Sequence, residues 1–336
     1  MRKRLAVIIN PTAGRGRAIV VGREVREQLD AAGHHVIDVS GATAAAADKK
    51  LRTATAELKL DAVIAVGGDG LVNLAATAVI NTRIPLAIIP AGTGDDIARG
   101  LGISRRPHRN IAALVRALET DQIPTRPVDV GVAREIPPMD VDRGWESRAG
   151  EVGSARTGRD LGEREGQATR YFLSVMTGGL DATVNARANA MRFPRGQARY
   201  FFALLAELRH YRSYAYQLKI DGKESRRELI LACVANLGYF GGGMKIAPGA
   251  KSDSGQLQAI LVNRVSIMRL LWIFPRIFWG GHVTHPAVEV VTAREIEIQP
   301  APGEQLPTPF ADGEPVAHPP VACAVKSGAL QVIKLG

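Results

Sequence analysis

Apolar runs and helical stripes alternate along residues 1–127 of this 336-residue chain. Leu5–Ile9 reads as a buried strand and Ile19–Ala32 as an amphipathic helix. His35–Val39 reads as a second strand, and the alanine-rich Ala44–Leu58 as a second helix. Ala62–Val66 and Leu86–Ile89 are two more short apolar strands, each running into a glycine-bearing loop. This alternation predicts a parallel α/β sheet with helices on its faces. In such sheets ligands bind where loops leave the carboxyl ends of the strands. The glycines cluster there.

From Pro127 onward the pattern changes. Strand-like runs fall at Val128–Ala133, Arg170–Met176, Tyr214–Ile220, Glu228–Ala235, Leu257–Val262 and Ala287–Ile298. Helical stretches interrupt them only at Asp181–Met191, Ala198–Tyr211 and Ser266–Trp279, so a mainly antiparallel second domain is expected over 128–336. Residues 134–169 are different: 14 of the 36 are charged and six are glycine, with scattered apolar positions. Such a segment buries too little to offset its ordering entropy, and it reads as a flexible surface insertion.

Composition narrows the class. No apolar run reaches the ~20 residues of a membrane span. The Leu5–Ile9 run is too short for a signal peptide and leads straight into polar Asn10-Pro11-Thr12. Two cysteines, Cys233 and Cys323, make neither a disulfide framework nor a metal cluster, which suits a reducing cytoplasm. A net charge of +10 favours anionic partners: phosphorylated substrates, anionic lipid surfaces or nucleic acid. Aromatics are 5% and not interleaved with the basic residues, so nucleic acid is not expected.

Polar loops follow the strands of the first domain. Asn10-Pro11-Thr12-Ala13-Gly14 leaves the first strand and opens a helix, a place where backbone amides meet anions. A tight strand-to-helix turn would look the same. Gly67-Gly68-Asp69-Gly70 sets three glycines around one carboxylate. Pro90-Ala91-Gly92-Thr93-Gly94-Asp95-Asp96 repeats that logic with a hydroxyl and two carboxylates. Two acidic glycine loops at adjacent strand ends point to a Mg²⁺–phosphate site, with helix capping by Asp95 or Asp96 as the plainer alternative. There is no G-x-x-x-x-G-K-[ST], no G-x-G-x-x-G after the first strand, and no H-E-x-x-H or G-x-S-x-G.

These motifs together resemble the diacylglycerol-kinase catalytic-domain family, soluble bacterial lipid kinases related to sphingosine kinases and, distantly, to NAD kinases. The resemblance runs through Asn10-Pro11, the GGDG at 67–70, the PAGTGDD at 90–96, Asp129-Val130-Gly131 and Gly178-Gly179-Leu180-Asp181-Ala182. It continues with Asn236, Gly241-Gly242-Gly243, Ala247-Pro248 and Asp312-Gly313-Glu314. Three positions depart from the family pattern: Leu71 for the usual Thr, Asp95 for the usual Asn, and Ser254 for the acid before Gly255.

The resemblance implies a two-domain lipid-kinase architecture like that of NAD kinases. Residues 1–127 would be the nucleotide-binding domain and 128–336 the lipid-substrate domain, with room for the C-terminal tail to return to the first. ATP would lie between them. Its phosphates would rest on Gly67, Gly68, Gly70 and the Gly92-Thr93-Gly94 turn, with Asn10 to Gly14 as a wall and Thr43 and Asn73 as further contacts. Asp69 and Asp96 would organise Mg²⁺, and Asp253 stands in for the acid missing at Ser254. Asp312 would be the general base and Glu314 its neighbour in support, although Asp-Gly is also a common hairpin turn.

The stretch Ile267–Trp279 holds four aromatics and two arginines, a composition of membrane interfaces. Packing against the second sheet explains it equally well. The expected activity is therefore ATP- and Mg²⁺-dependent phosphorylation of diacylglycerol, in the cytoplasm, at the anionic inner face of the membrane. A sphingoid base or another lipid alcohol is the alternative acceptor, and a non-catalytic nucleotide- or lipid-binding regulator the alternative class. The oligomeric state is open, a homodimer included.

Overall fold

The computed structural model describes residues 2–137, 169–191, 193 and 197–335. Most of the expected 134–169 insertion, residues 138–168, lies outside the described residues. In the first domain β1 (Arg4–Ile9), α1 (Arg17–Ala31), β2 (His35–Asp38), α2 (Ala44–Glu57), β3 (Ala62–Gly67), α3 (Asp69–Val79), β4 (Leu86–Pro90), α4 (Asp96–Gly100) and α5 (Pro107–Glu119) follow in turn. The strands form a parallel sheet in the order β2-β1-β3-β4. Its strands alternate between two cores. Leu5, Val7, Ile64 and Ile89 face α1 and α5, while Ala6, Ile8, Val63 and Ile88 face α2 and α3. Each fully buried Ile or Leu contributes about 1.5–3 kcal/mol, which explains why these strands read as unbroken apolar runs.

The second domain contains β5 (Thr125–Glu135), β6 (Thr169–Phe172), β7 (Val175–Gly179), α6 (Leu180–Ala190), α7 (Gln197–Glu207), β8 (Tyr214–Ile220), β9 (Lys223–Ala235), β10 (Leu257–Asn263), α8 (Ile267–Ile273), β11 (Val288–Ala293), β12 (Glu295–Pro300), β13 (Phe310–Ala311), β14 (Glu314–Pro315) and β15 (Val321–Ile333). The order β14-β13-β7-β9-β8-β12-β15 is antiparallel, and β9 also pairs with β10, which pairs with β11. β15 then continues into the first domain: it pairs antiparallel with β5 along its length and parallel with β4 at Val332–Leu86.

Two expected strands are split, each by a carboxylate. The run Arg170–Met176 breaks at Leu173 and Ser174, because their N–H groups donate to Asp312 instead of a neighbouring strand. The run Ala287–Ile298 breaks at Arg294, where the N–H groups of Arg294 and Glu295 both donate to Asp221 Oδ1. The stretch Ser266–Trp279 is α8 followed by a 3₁₀ turn at Phe274–Phe278, since Pro275 cannot continue the α-helical ladder.

Asp129 of β5 fixes this junction. Its carboxylate, 2% exposed, accepts from the N–H of Gly255 at 2.6 Å and of Gly328 at 2.8 Å. Asn236, fully buried, donates to the carbonyls of Asp129 and Leu173 from the other side. Asp129→Ala leaves two half-buried N–H groups without this acceptor and is expected to cost about 3–6 kcal/mol, two charge-assisted bonds at about 1.5–3 each. Chemical denaturation measures this, and a loss below about 1 kcal/mol would show that water replaces the carboxylate.

Candidate active site

The loops after β1, β3 and β4 converge. After β1, Asn10 Oδ1 accepts from the Thr12 N–H at 3.1 Å and the Thr12 hydroxyl at 2.8 Å, a side chain standing in for a turn of backbone. Gly14 follows at φ +58°, where a Cβ would lie 2.2 Å from the Ala91 carbonyl oxygen. Only glycine fits, so the first loop presses on the loop after β4, with Ala13 half-buried beside it and Pro11 and Thr12 exposed.

After β3, Gly68 leads into α3 and Asp69 is its first residue. The β3 and β4 loops touch backbone to backbone: a Cβ on Gly92 would sit 2.6 Å from the Gly68 Cα. Gly70 and Thr93 are exposed at the rim. This contact brings the amino end of an 11-residue helix and the free edge of two glycine turns into one small space. Such a space favours anions. Gly92→Ala is expected to force the two loops apart and raise the KM for ATP at least about tenfold, with about 1–3 kcal/mol lost in stability. Unchanged nucleotide affinity by calorimetry would sink this reading of the contact.

Three acids line the cradle. Asp69 Oδ1 accepts from the Ile97 N–H at 2.9 Å, and its other oxygen faces Gly94. Asp95, in the left-handed region at φ +54°, accepts from the Gly92 N–H at 2.8 Å and lies 3.7 Å from the Arg17 guanidinium. Asp96 pairs with Arg99 at 3.2 Å and accepts from the N–H of Gly242, which the second domain supplies, at 2.5 Å. Burial, and then the charge of Asp69, pushes the Asp96 carboxyl up to about 6 and also raises Asp95.

The second domain contributes one more acid. Asp312 and Gly313, at φ +49° and +86°, form the tight turn between β13 and β14. The hairpin role and the site role coincide in one residue. Asp312 Oδ1 accepts from the N–H groups of Ser174 and Val175 at 2.9 and 3.1 Å. Its Oδ2 accepts from the Leu173 N–H and from Asn73 Nδ2 of α3, both at 2.7 Å. Burial pushes this carboxyl up to about 6 against the pull of those four donors. Glu314 is exposed at the start of β14.

Asn10, Gly14, Gly67, Gly68, Asp69, Asn73, Gly92, Gly94, Asp96 and Asp312 are thus linked by direct contacts or shared loops. Thr43 is occupied differently: it caps α2, accepting from the Ala46 N–H at 3.2 Å. Asp253 is exposed on its turn, and the carboxylate that the turn's backbone meets is Asp129. Sequence reasoning missed the basic groups that neutralise this region. Arg17 donates to the Gly92 carbonyl at 2.8 Å and Arg105 to the Thr93 carbonyl at 3.5 Å. Arginines in so basic a chain carry no local signal.

Raised carboxyls carry a stability cost. The folded protein binds protons on Asp96 and Asp312 that the unfolded chain releases between pH about 4 and 6, so their contribution to stability falls as pH rises through that window. Asp96→Asn is expected to shrink the drop in Tm between pH about 4.5 and 7.5 in metal-free, nucleotide-free buffer. An undiminished drop would show that Asp96 is not a source of it.

Two family models match this chain. Residues 4–132 match the model of the diacylglycerol kinase catalytic domain, and 174–334 match the YegS C-terminal NAD kinase beta sandwich-like domain. A diacylglycerol kinase of Mycobacterium tuberculosis (strain ATCC 25618 / H37Rv) is 32% identical over 332 residues, covering 98% of this chain and 95% of that one. The chain belongs to the diacylglycerol kinase family. It is accordingly an ATP-dependent lipid kinase. A diacylglycerol kinase of Bacillus subtilis (strain 168) is 26% identical over 312 residues, covering 90% of this chain and 88% of that one. The solved structure of a diacylglycerol kinase from Bacillus anthracis str. Sterne superposes with a TM-score of 0.64 at 19% identity, covering 99% of this chain and 96% of that one, which speaks for the fold.

Proposed function

We propose that this kinase transfers the γ-phosphate of Mg·ATP to the primary hydroxyl of diacylglycerol, giving phosphatidic acid. One observation carries the reading: the 2.7 Å bond from Asn73 to Asp312, which joins the glycine cradle of one domain to the carboxylate-bearing hairpin of the other. Phosphoryl transfer asks the protein for positioning and charge neutralisation. The amides of Gly67, Gly68, Gly70 and the Gly92–Gly94 turn hold the phosphates at the amino end of α3, and Asn10 to Gly14 wall the nucleotide. The name of the Mycobacterium tuberculosis relative supports the acceptor.

Asp69 and Asp96 are the residues that would hold Mg²⁺. A Cβ on Gly94 would lie 3.1 Å from Asp69 Oδ2 and 3.6 Å from Asp96 Oδ2, so the two oxygens flank one backbone position. Burial first, and then the charge of Asp69, raises the Asp96 carboxyl. Among the described residues no three His, Cys, Asp or Glu side chains converge on one point, Asp253 included. That suits Mg²⁺, which uses one or two carboxylates together with substrate phosphates and water. Bound there, it would supply charge neutralisation to the phosphate oxygens.

The proton acceptor comes from the 312–314 turn. Asp312 was the expectation, and a carboxyl raised to about 6 suits a base. Its four donors favour another division of labour: an oxygen filling two hydrogen bonds must release one to take a proton. Glu314, two residues on, is exposed and accepts from no backbone N–H among the described residues. We assign Glu314 to accept the proton of the attacking hydroxyl and Asp312 to hold the turn.

Support for a bilayer-borne acceptor comes from one surface. Trp272, Phe278 and Trp279 are more than half exposed, with Arg276 stacked 3.6 Å over the Trp272 ring. Among the described residues no helix is long and apolar enough to cross a membrane.

The test is transfer of labelled γ-phosphate from Mg·ATP into micellar diacylglycerol, sphingosine, ceramide and monoacylglycerol. Diacylglycerol is expected to take the label, and Glu314→Gln to reduce kcat about 10²-fold or more at an unchanged Tm. Asp312→Asn is expected to lower both kcat and Tm. Label in sphingosine alone would move the acceptor to a sphingoid base, and full activity in Glu314→Gln would return the proton to Asp312.

A further inference from the structure

We propose that the groove between α6 and residues 307–318 receives an acyl chain of the acceptor lipid and aims its glycerol end at the 312–314 turn; this rests on the lipid-kinase reading above. The argument begins with α6, which is apolar on two opposite faces. Leu180, Val184 and Ala188 point into a core shared with Ala203 of α7 and Leu270 of α8. Ala182, Ala186 and Ala190, one turn apart on the other face, line the groove instead. Ala186 and Ala190 are exposed. A helix face turned to water is ordinarily polar, and a row of methyl groups there asks for an apolar neighbour.

The opposite wall sets Pro307, Phe310 and Pro315 beside Thr308 and His318, whose polar atoms bond each other at 3.0 Å. Between the walls lies about 710 Å³, within the ~300–1,000 Å³ of ligand pockets. The charged groups at the rim, Arg187 and Glu207, are paired with each other, so the groove presents no net charge for a nucleotide or a free phosphate. Beneath it, a small cavity lined by Tyr216 shares Pro307 with the groove. Among the described residues the Tyr216 hydroxyl has no hydrogen-bond partner.

Position decides the occupant. Phe310 and Pro315 are at once groove walls and the strand residues that flank Asp312-Gly313-Glu314. Asn189 of α6 ties the two together, donating to the Gly313 carbonyl at 3.4 Å. A chain lying along the groove therefore ends beside the hairpin carboxylates. The helix α7, which supplies Glu207 to the rim, also carries Phe201 and Phe202, about half exposed. These two rings give α7 an exposed apolar surface of its own.

Two measurements test this. Kinetics would use monomeric diacylglycerols with chains of four to ten carbons. For the wild type, kcat/KM is expected to climb with chain length, up to about fourfold per methylene buried. Ala186→Trp and Ala190→Trp, each filling the groove from an exposed position, are expected to flatten that climb while Tm holds. The second measurement is photolabelling of the full-length wild-type chain with a diacylglycerol bearing a diazirine near the chain end. The label is expected within 180–190 or 307–318, and to be lost in Ala186→Trp. An unchanged chain-length slope in both variants, or label only elsewhere, would overturn the groove assignment while leaving the kinase in place. Should the wild type phosphorylate no lipid, the acceptor reading falls, and the photolabel still decides the groove by itself.

Discussion

Backbone N–H groups that the strand ladders leave over must find acceptors, and in this protein aspartates meet that need both within and between its two halves. Asp96 of the first domain takes the N–H of Gly242 from the second. Asp312 of the second takes three consecutive N–H groups at the β6–β7 break and the amide of Asn73 from the first. Asp129 takes Gly255 and Gly328. Each carboxylate answers N–H groups in turns or at irregular points of strands. The cleft, the hairpin and the break in the sheet all depend on this one device.

Placing acids there has an electrostatic consequence. Asp69, Asp95 and Asp96 share a small volume, and burial and mutual repulsion raise the carboxyls of Asp95 and Asp96. Arg17, Arg99 and Arg105 offset part of the charge from outside the cradle. The cradle thus combines backbone donors with carboxylates that remain incompletely neutralised. A phosphate chain with a cation suits both at once, which neither a bare anion nor a bare cation does.

Helix α6 shows how a segment without a clear sequence period acquires a role. Its alanines fit either a core or a surface, and the helix uses both: one face closes on α7 and α8, and the other walls a groove next to the β13–β14 hairpin. Small side chains keep that groove open.

The sequence by itself determined the strand–helix alternation of residues 4–90, because strands covered on both faces leave unbroken apolar runs. It also determined the glycines of the three loops, because positions such as Gly14 and Gly92 exclude any side chain by contact with backbone. Only the tertiary structure decided which groups Asp312 meets. Its residue type and its Asp-Gly turn were legible, but its four donors lie 137, 138, 139 and 239 residues earlier in the chain. The split of Arg170–Met176 was hidden for the same reason, since nothing within the run signals that its amides bond a distant carboxylate. The return of β15 to β4 is likewise a pairing between residues far apart in the chain, Val332 and Leu86, and local pattern holds no record of it. Period and turn chemistry are local and can be read; a hydrogen bond between distant loops exists only once the chain has folded.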